Sequence, residues 1–350
     1  MIAMSGGVDS SVAAYLTQKD GFACIGATAQ MCDRALVGDD FDPGNIQDAR
    51  AVAQRLGMEF YIFDATEAFR SEVVEDFISC YEQGLTPNPC VVCNRRIKFS
   101  YLLDKALALD CDCIVTGHYA QIKQDANFGR FLLYKAVDET KDQSYFLACL
   151  NQYQLSHIRF PLGCYTKAQI REIAEAQGFL TAKKKDSQDI CFVPDGDFMG
   201  FICRYTGKKY PEGEFLDMQG KPMGKHSGAI RYTLGQRKGL GLAMGEPVYV
   251  CSKDMARNTV TVGPEETLYT QTLIAKDWNW FPFPALTEPM QVMAKARSRH
   301  IPQPATVYPM ENGQAKVVFD TPQRAVTPGQ TVVLYQGDMV VGGGTITQTY

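Results

Sequence analysis

The chain has 350 residues, which is more than a single hydrophobic core usually organises, so two or three domains are expected. Its formal net charge of -4 excludes a uniformly basic surface, and a nucleic-acid ligand would therefore need a local basic face. No stretch is apolar enough to span a bilayer and no signal peptide precedes the first motif. We therefore expect a cytoplasmic protein without membrane contact, whose 12 cysteines are reduced thiols.

The first half of the chain alternates strand and helix patterns. Strands are predicted over 2–4, 23–28, 60–63 and 113–116, and helices after residue 11 and over 49–56, 69–81 and 99–109. Alternating strands and helices predict a doubly wound α/β domain, in which helices cover both faces of a parallel sheet.

The pattern changes after about Phe198, where Gly and Pro become frequent and clear helices disappear. Short β-like runs follow, separated by turn residues, over 248–251, 259–262, 290–296, 315–319, 331–334 and 339–341. This part of the chain is predicted to form one or two small β domains.

A glycine-rich loop, Ser5-Gly6-Gly7-Val8-Asp9-Ser10-Ser11, lies between the first strand and the first helix. Glycines there let backbone N–H groups converge on an anion, and the helix N-terminus adds positive character. Ser10 and Ser11 are predicted to cap the helix and to donate to phosphate oxygens. No Lys precedes the serines, so the loop is not a Walker A site. A tight turn before a capped helix remains the structural alternative.

The run Ser-Gly-Gly-Val-Asp-Ser resembles the signature of the N-type ATP pyrophosphatase superfamily, whose members adenylate a carbonyl oxygen and release pyrophosphate. The resemblance implies that the chain binds ATP and Mg²⁺. It implies a nucleotide site made by Ala3, Met4, Ser5, Gly6, Gly7, Val8, Asp9, Ser10, Ala29 and Gly117.

A Cys-x-x-Cys pair, Cys90 and Cys93, precedes a helix predicted to begin near Ile97. A cysteine at a helix N-terminus has a lowered pKa, and Arg95, Arg96 and Lys98 add positive charge. Half a zinc site and a thioredoxin-like dithiol are alternatives, although Cys111 and Cys113 have the wrong spacing to complete a zinc site. Cys191, between Ile and Phe, is by itself typical of a core residue.

Six blocks match the tRNA-specific 2-thiouridylase (MnmA) family in order and spacing, nearly end to end. They are Thr86–Lys98, Thr116–Tyr119, Asp142–Leu147, Asp186–Phe192, Tyr232–Gly241 and Thr327–Gln330. The resemblance implies that Cys93 is the catalytic nucleophile and that Cys191 carries a persulfide. Release of that sulfur requires a second thiol that closes a disulfide, which agrees with two cysteines that are distant in sequence.

The resemblance also assigns RNA contacts. Asn88, Pro89 and Cys90 match the segment that touches the target base, and the residues that match tRNA-contacting positions are His118, Lys141, Asp142, Gln143, Arg297, Ser298 and Gln330. Further candidate phosphate contacts are Lys183, Lys184, Lys185, Arg237, Lys238 and Arg299. The alternatives are a satisfied loop histidine, a solvated charged turn, a turn between strands and a solvated hairpin.

The chain departs from the family pattern in three places. The first strand is short, and Ala29 and Gln30 stand where methionine and lysine are common. Cys90 stands where many relatives have an aspartate. Three thiols at Cys90, Cys93 and Cys191 could hold a 4Fe–4S cluster with one open iron, which is the alternative to the persulfide route, although ordinary ligation uses four cysteines.

The resemblance implies ATP-dependent 2-thiolation of the wobble uridine of tRNAs of the Glu, Gln and Lys type, through an adenylated base and a cysteine persulfide. A sulfur-donor protein or cysteine desulfurase would load Cys191, and a monomer is expected. The implied units are a catalytic domain over 1–197, a β-rich central domain over 198–268 and a C-terminal tRNA-binding β-barrel over 269–350. Another ATP pyrophosphatase, such as a GMP synthetase-like amidotransferase, and an inactive RNA-binding paralogue are the alternatives.

Overall fold

The computed structural model of the chain describes residues 1–38, 43–125, 129–184, 190–242 and 245–350. Lys185 and positions 186–189 of the Cys191 block therefore lie outside the described residues. In the part that is described, no helix has both the length and the apolar character needed to cross a membrane.

The strands of the described residues are β1 Ile2–Ala3, β2 Gly26–Gln30, β3 Phe60–Asp64, β4 Ile114–Val115, β5 Gln121–Gln124, β6 Phe131–Tyr134, β7 Ile158–Arg159, β8 Gly213–Leu216, β9 Pro222–His226, β10 Tyr249–Asp254, β11 Thr259–Gly263, β12 Tyr269–Trp280, β13 Met290–Lys295, β14 Gln303–Pro309, β15 Ala315–Arg324, β16 Thr331–Gln336 and β17 Met339–Thr349.

The α-helices are α1 Val8–Lys19, α2 Arg34–Val37, α3 Gly44–Arg55, α4 Thr66–Phe69, α5 Glu75–Glu82, α6 Pro89–Cys93, α7 Leu102–Leu107, α8 Ser144–Leu147, α9 Gln152–Ser156, α10 Lys167–Ala176 and α11 Phe198–Thr206. Two π-helical segments join neighbours, Arg70–Val74 between α4 and α5 and Asn94–Tyr101 between α6 and α7.

The first sheet is parallel, with the strand order β3-β2-β1-β4-β7. Successive residues of its central strands face opposite cores. Ile2 and Val115 pack with α1, α3 and α10 on one face, whereas Ile114 packs with Phe99 and α7 on the other. Both faces are covered, so the predicted doubly wound α/β fold is confirmed.

Two of the predicted helices are longer than their hydrophobic pattern indicated. The helix predicted over 69–81 belongs to a run from α4 through α5, and the one predicted over 99–109 belongs to a run that begins with α6. That second run starts early because Pro89 occupies its first turn and the Asn88 side chain accepts from the Val91 amide. It bends at Phe99, whose φ of -115° and ψ of 16° are not helical.

Helix α11 contradicts the expectation that clear helices disappear after Phe198. The Asp197 side chain accepts from the Gly200 amide at its N-terminus, and Gly207 ends the helix in the left-handed conformation. Met199, Phe201 and Ile202 form its buried face. The pattern was missed because the helix is short and lies where the composition changes.

The remaining strands form two further sheets. The central one has the order β10-β11-β8-β9. In the C-terminal one, β12-β15-β14-β13-β16-β17 closes because β12 also pairs with β17, which confirms the predicted β-barrel. The hairpin β5–β6, which the sequence did not predict, extends this sheet through a pairing of Tyr134 with Met339. The first α/β unit is thereby joined to the barrel.

Candidate active site

The glycine-rich loop connects β1 to α1 at the carboxyl edge of the parallel sheet. Gly7 is the N-cap of α1 and supplies no side-chain hydrogen bond. The Ser10 and Ser11 hydroxyls donate back to the Gly7 carbonyl at 3.1 and 2.9 Å. The predicted capping by these serines is therefore wrong, because both side chains turn into the helix. The first amides of α1 keep the geometry that suits an anion.

Gly6 places this loop against the start of α3. Its φ is +72°, and a Cβ there would lie 2.0 Å from the Asn45 carbonyl oxygen. Lys184 stabilises the same contact between the loop and α3. Its Nζ donates to Asn45 Oδ1 and Asp48 Oδ2 at 2.7 Å each and to the Gly6 carbonyl at 3.3 Å. Lys184, a candidate phosphate contact in the sequence, is thus used inside the protein.

Gly6→Ala is expected to lower the free energy of unfolding by roughly 2–4 kcal/mol, because a positive φ and a backbone clash add together. Gly7→Ala is the matched control, since its Cβ would meet only the Ser5 hydroxyl oxygen, at 3.5 Å. Urea denaturation of both variants measures the difference. Equal stabilities would contradict the close approach of Gly6 to Asn45.

Asp9 is the charged centre of the loop. Lys167 Nζ lies 2.8 Å from both carboxylate oxygens, and the Tyr119 hydroxyl donates to Oδ1 at 2.7 Å. The Lys167 side chain is only 11% exposed. The sequence analysis did not predict that Lys167 belongs to this site. The one feature in the sequence that marks this lysine is its position at the start of a helix capped by Thr166.

The other predicted nucleotide residues lie around this loop. A Cβ on Gly117 would lie 2.7 Å from the Asp9 carbonyl carbon, so the turn after β4 touches the loop directly. The Thr28 hydroxyl donates to the Met4 carbonyl at 2.6 Å and ties β2, which carries Ala29, to the same edge. The strand order changes direction between β1 and β4, where α/β folds of this type bind ligands.

Four cysteines form what we call the thiol cluster: Cys32, Cys90, Cys93 and Cys191. The pKa of each of these thiols is influenced by at least one other member of the group. The positive charge of Lys98 acts to lower the pKa of Cys90, Cys93 and Cys191. Cys93 is next to Met31, with its Sγ 3.7 Å from the thioether sulfur. The structure therefore brings together the three cysteines that the sequence singled out and adds Cys32, which it did not.

Cys93 does not have the lowered pKa that the sequence analysis predicted. It lies at the end of α6 rather than at a helix N-terminus, and it is only 7% exposed. Burial raises the pKa of its thiol to about 12, although the Lys98 charge acts in the opposite direction. Burial also raises the pKa of Cys90.

Cys191 is exposed, whereas the next residue, Phe192, is buried. The Phe192 ring meets those of Phe69 and Phe77 edge to face, with centroids 5.6 and 5.1 Å away. The interaction between the thiols of Cys32 and Cys191, together with burial, raises the pKa of Cys191 well above its ordinary value, and the same interaction lowers the pKa of Cys32. Cys191 is therefore an exposed residue at the margin of this aromatic cluster and not a core residue.

The thiol cluster does not fit an iron–sulfur cluster in this arrangement. Over the described ranges, no three Cys, His, Asp or Glu side chains converge as a metal-binding group. A 4Fe–4S cluster would need several thiolate ligands directed at one point. The sulfur chemistry considered for this site therefore uses the cysteine thiols without a metal cluster.

Comparison with known proteins places this site in a family. Residues 1–195 match the tRNA methyl transferase HUP domain, 199–264 the tRNA methyl transferase PRC-barrel domain and 270–346 the aminomethyltransferase beta-barrel domain. The tRNA-specific 2-thiouridylase MnmA of Acetivibrio thermocellus is 47% identical over 99% of this chain and 98% of its own. Those of Clostridioides difficile and Geotalea uraniireducens are 44% and 48% identical, over 100% and 99% of this chain and 98% and 94% of theirs.

The chain belongs to the MnmA family. The segment that the sequence predicts to contact the target base, Asn88 to Cys90, lies at the start of α6 and is supported from the barrel. Gln330 Nε2 donates to the Thr86 and Pro87 carbonyls at 3.0 and 2.9 Å. Gln330, a predicted tRNA contact, therefore holds this segment in place.

Other MnmA-family tRNA positions are also used internally. Asp142 accepts from the Ala136 amide at 3.1 Å and from the Ser144 hydroxyl at 2.8 Å. Gln143 Oε1 accepts from the Tyr119 amide at 2.9 Å and so supports the tyrosine that contacts Asp9. The neighbouring Lys141 is half-buried.

His118 lies among aromatic rings. Its ring is 5.6 Å from that of Phe99 and 5.8 Å from that of Phe160, and its Nδ1 is 2.6 Å from the Thr116 hydroxyl. Burial lowers the pKa of His118 well below its ordinary value, so the ring is neutral at pH 7.

Arg297 and Ser298, two predicted tRNA contacts, lie in the turn that follows β13 and are half-buried. Arg297 Nη2 donates to the Thr327 hydroxyl and, at 3.4 Å, to the Leu234 carbonyl, which connects the barrel to the central sheet's domain. Burial lowers the pKa of Arg297. Among the basic candidates, the exposed ones are Lys183, Arg237, Lys238 and Arg299.

Proposed function

We propose that this protein uses ATP to replace the C2 oxygen of the wobble uridine of tRNA with sulfur. The observation that carries the proposal is that the anion-binding loop follows β1, while Met31, which contacts Cys93, follows the neighbouring parallel strand β2 at the same edge of the sheet. Relatives that share 44–48% of the sequence over almost the whole chain are named tRNA-specific 2-thiouridylases. Residues 1–197 would form the catalytic domain. Residues 198–268 would form the central domain, and residues 269–350 the tRNA-binding domain.

ATP is the first substrate, with its phosphates at the loop and Gly117 against the nucleotide. The uridine is flipped into the site because a stacked base cannot be adenylated. Its O2 attacks the α-phosphorus, so an O–P bond forms and pyrophosphate leaves. Mg²⁺ would screen the phosphate charge beside Asp9, and Lys167, which is bound to Asp9, would add positive charge near the departing pyrophosphate.

The second half of the reaction is sulfur transfer. A persulfide on Cys191 attacks C2 of the adenylated base, and AMP leaves with the electron pair of the broken C–O bond. The base is then joined to Cys191 through two sulfurs. Attack by the Cys93 thiolate on Cys191 Sγ forms the Cys93–Cys191 disulfide and leaves the outer sulfur on C2. The pair is oxidised while the persulfide sulfur is reduced, so no further oxidant is needed.

The proposed reaction needs two partners, an RNA substrate and a sulfur donor. The substrate RNAs would be tRNAs of the Glu, Gln and Lys type, and a sulfur-donor protein or cysteine desulfurase would load Cys191, which is exposed and therefore accessible to it. The protein would act as a monomer. An amidotransferase of the same superfamily would transfer ammonia and would have no use for a thiol cluster, so that alternative is less well supported.

Incubation of tRNA transcripts with ATP, a cysteine desulfurase and cysteine tests the proposal. Nucleoside analysis should show 2-thiouridine at the wobble position, and AMP and pyrophosphate should form only when tRNA is present. AMP formation without a thiolated nucleoside under any sulfur source would contradict the assignment. Absence of both products would favour an RNA-binding paralogue without catalysis.

RNA binding is expected to be local and sensitive to salt. The charge reversals Arg237→Glu and Lys238→Glu, at exposed positions in the connection between β9 and β10, should each reduce the slope of log affinity against log salt by about 0.7–0.9. Lys276→Glu is the control, since that lysine lies near Asp277 on the barrel and outside the predicted contacts. Unchanged binding and slope in both variants would show that Arg237 and Lys238 do not contact the RNA.

A further inference from the structure

Residues 82–88 run from the end of α5 to the N-cap of α6, and we call them the connecting segment. The central domain contacts its first half. Glu82 Oε1 accepts from the Tyr210 hydroxyl at 2.7 Å. Gly84 has a φ of +79°, and a Cβ there would lie 2.8 Å from Met255 Cγ. The beginning of the connecting segment therefore packs closely against the central domain.

The barrel contacts the second half of the connecting segment, through the connection between β15 and β16. The Thr86 amide donates to the Pro328 carbonyl at 3.0 Å. A Cβ on Gly329 would lie 2.9 Å from the Thr86 carbonyl oxygen, so the two backbones are in close approach. Gln330 Nε2 donates to the Thr86 and Pro87 carbonyls at 3.0 and 2.9 Å. Gln330 contributes a side chain to this contact, so one substitution can weaken it and leave the backbone contacts in place.

Helix α6 begins directly after the connecting segment and ends at Cys93. Its N-cap is Asn88, whose side chain accepts from the Val91 amide at 3.4 Å. The two carbonyls that Gln330 binds belong to the residues immediately before this cap. At a rise of about 1.5 Å per residue, Cys93 lies only about 6 Å along the helix from its first residue. A displacement of Pro87 is therefore transmitted to the Cys93 thiol.

The other end of α6 is held through α8, which also contacts the barrel. Asn94, the residue after Cys93, donates from Nδ2 to the Phe146 carbonyl at 3.0 Å. The neighbouring Tyr145 hydroxyl donates to the Thr331 carbonyl at 2.7 Å, at the first residue of β16. The start of β16 is thus connected to both ends of α6.

We propose that Gln330 is a positioning residue, through which the barrel fixes α6 and the Cys93 thiol relative to a bound RNA. Reacting atoms must come within about 3–3.5 Å of each other, and a misplacement of about 1 Å can cost about a hundredfold in rate. This inference rests on the proposed function and deepens it, because it names the side chain that aligns the RNA-binding domain with the sulfur chemistry.

The hydrogen bonds of Gln330 favour positioning over a direct phosphate contact. A side-chain amide has two N–H donors, and the two carbonyls of the connecting segment accept both. Phosphate oxygens are acceptors, so an intact Gln330 has no donor left for them. An RNA contact through Nε2 would require the side chain to release Thr86 and Pro87.

Alkylation of the full-length protein without RNA tests the positioning directly. Gln330→Ala should raise the rate of Cys93 labelling by iodoacetamide about fivefold or more, because the loss of two hydrogen bonds increases the population in which α6 is displaced. Peptide mass spectrometry measures Cys93 beside Cys80, which lies on α5 in the same tryptic peptide, 71–95, and should keep its rate. Gln330→Glu, which keeps the size but loses the donors, should behave like Gln330→Ala.

The matched control is Gln336→Ala. Gln336 lies at the other end of β16, is exposed, and makes one long hydrogen bond, at 3.5 Å to the Gln291 carbonyl. Its removal should leave the labelling of Cys93 unchanged. Unchanged Cys93 labelling in Gln330→Ala would overturn the proposal. Equal acceleration at Cys80 and Cys93 would also overturn it, because that result indicates general destabilisation.

Single-turnover thiolation, with persulfide-loaded enzyme in excess over tRNA, separates positioning from RNA affinity. Gln330→Ala should lower the maximum rate about tenfold, while the enzyme concentration that gives half of that rate changes less than about twofold. A wild-type maximum rate with a raised half-saturating concentration would overturn the proposal in favour of a direct RNA contact. If the wild-type protein forms no 2-thiouridine, the proposed function fails, whereas the labelling result does not depend on it.

Discussion

The Asp9→Ala protein is expected to bind tRNA but to form no adenylated intermediate, with a loss of at least about a hundredfold in the rate of pyrophosphate release. The carboxylate holds Lys167 by two 2.8 Å contacts and accepts from Tyr119. Without it, Lys167 loses its ion-pair partner, and the proposed Mg²⁺ would lose a carboxylate beside the pyrophosphate. Release of pyrophosphate in the presence of tRNA measures the effect.

Asp9→Asn separates charge from shape in this experiment. The amide oxygen can still accept from the Tyr119 hydroxyl, but it carries no charge for Lys167 or Mg²⁺. Asp9→Asn should therefore melt close to wild type and be almost as inactive as Asp9→Ala. If Asp9→Asn retains full activity, Asp9 is a structural partner of Tyr119 and not part of ATP activation.

Cys191→Ser and Cys93→Ser are each expected to abolish thiolation from a protein sulfur donor while pyrophosphate release continues. Neither sulfur belongs to the phosphate loop, so the adenylation step does not depend on them. Cys191→Ser cannot carry the persulfide, and Cys93→Ser cannot close the disulfide. Cys164→Ser is the control, because that cysteine is exposed and bonds only weakly to Gln121 at 3.7 Å.

The sulfur source decides how these variants are interpreted. Free sulfide can attack the adenylated base directly, so it should restore product formation in Cys191→Ser. Normal thiolation by Cys191→Ser with a desulfurase as the donor would show that Cys191 does not carry the persulfide. Loss of pyrophosphate release in either variant would indicate a damaged fold.

Local sequence patterns were sufficient to predict the parallel sheet, the loop after β1 and the short strands of the second half. Each of these features depends on residues that are neighbours in the chain. Ile2 and Ala3, for example, face different cores because strand residues alternate. The six sequence blocks, taken in order, were sufficient to recognise the family. Strand and helix boundaries were less accurate, since caps such as Asn88 depend on single side chains.

Long-range contacts were decided only by the tertiary structure. Lys167 meets Asp9 from 158 positions away, and Gln330 supports Pro87 from 243 positions away. The pKa of Cys93 shows the same limit, because the motif indicated a helix N-terminus whereas burial by distant residues determines its charge. The sequence alone indicated which cysteines are candidates for the chemistry, whereas the burial of Cys93 by residues distant in the chain, and with it the raised pKa of its thiol, was decided by the tertiary structure.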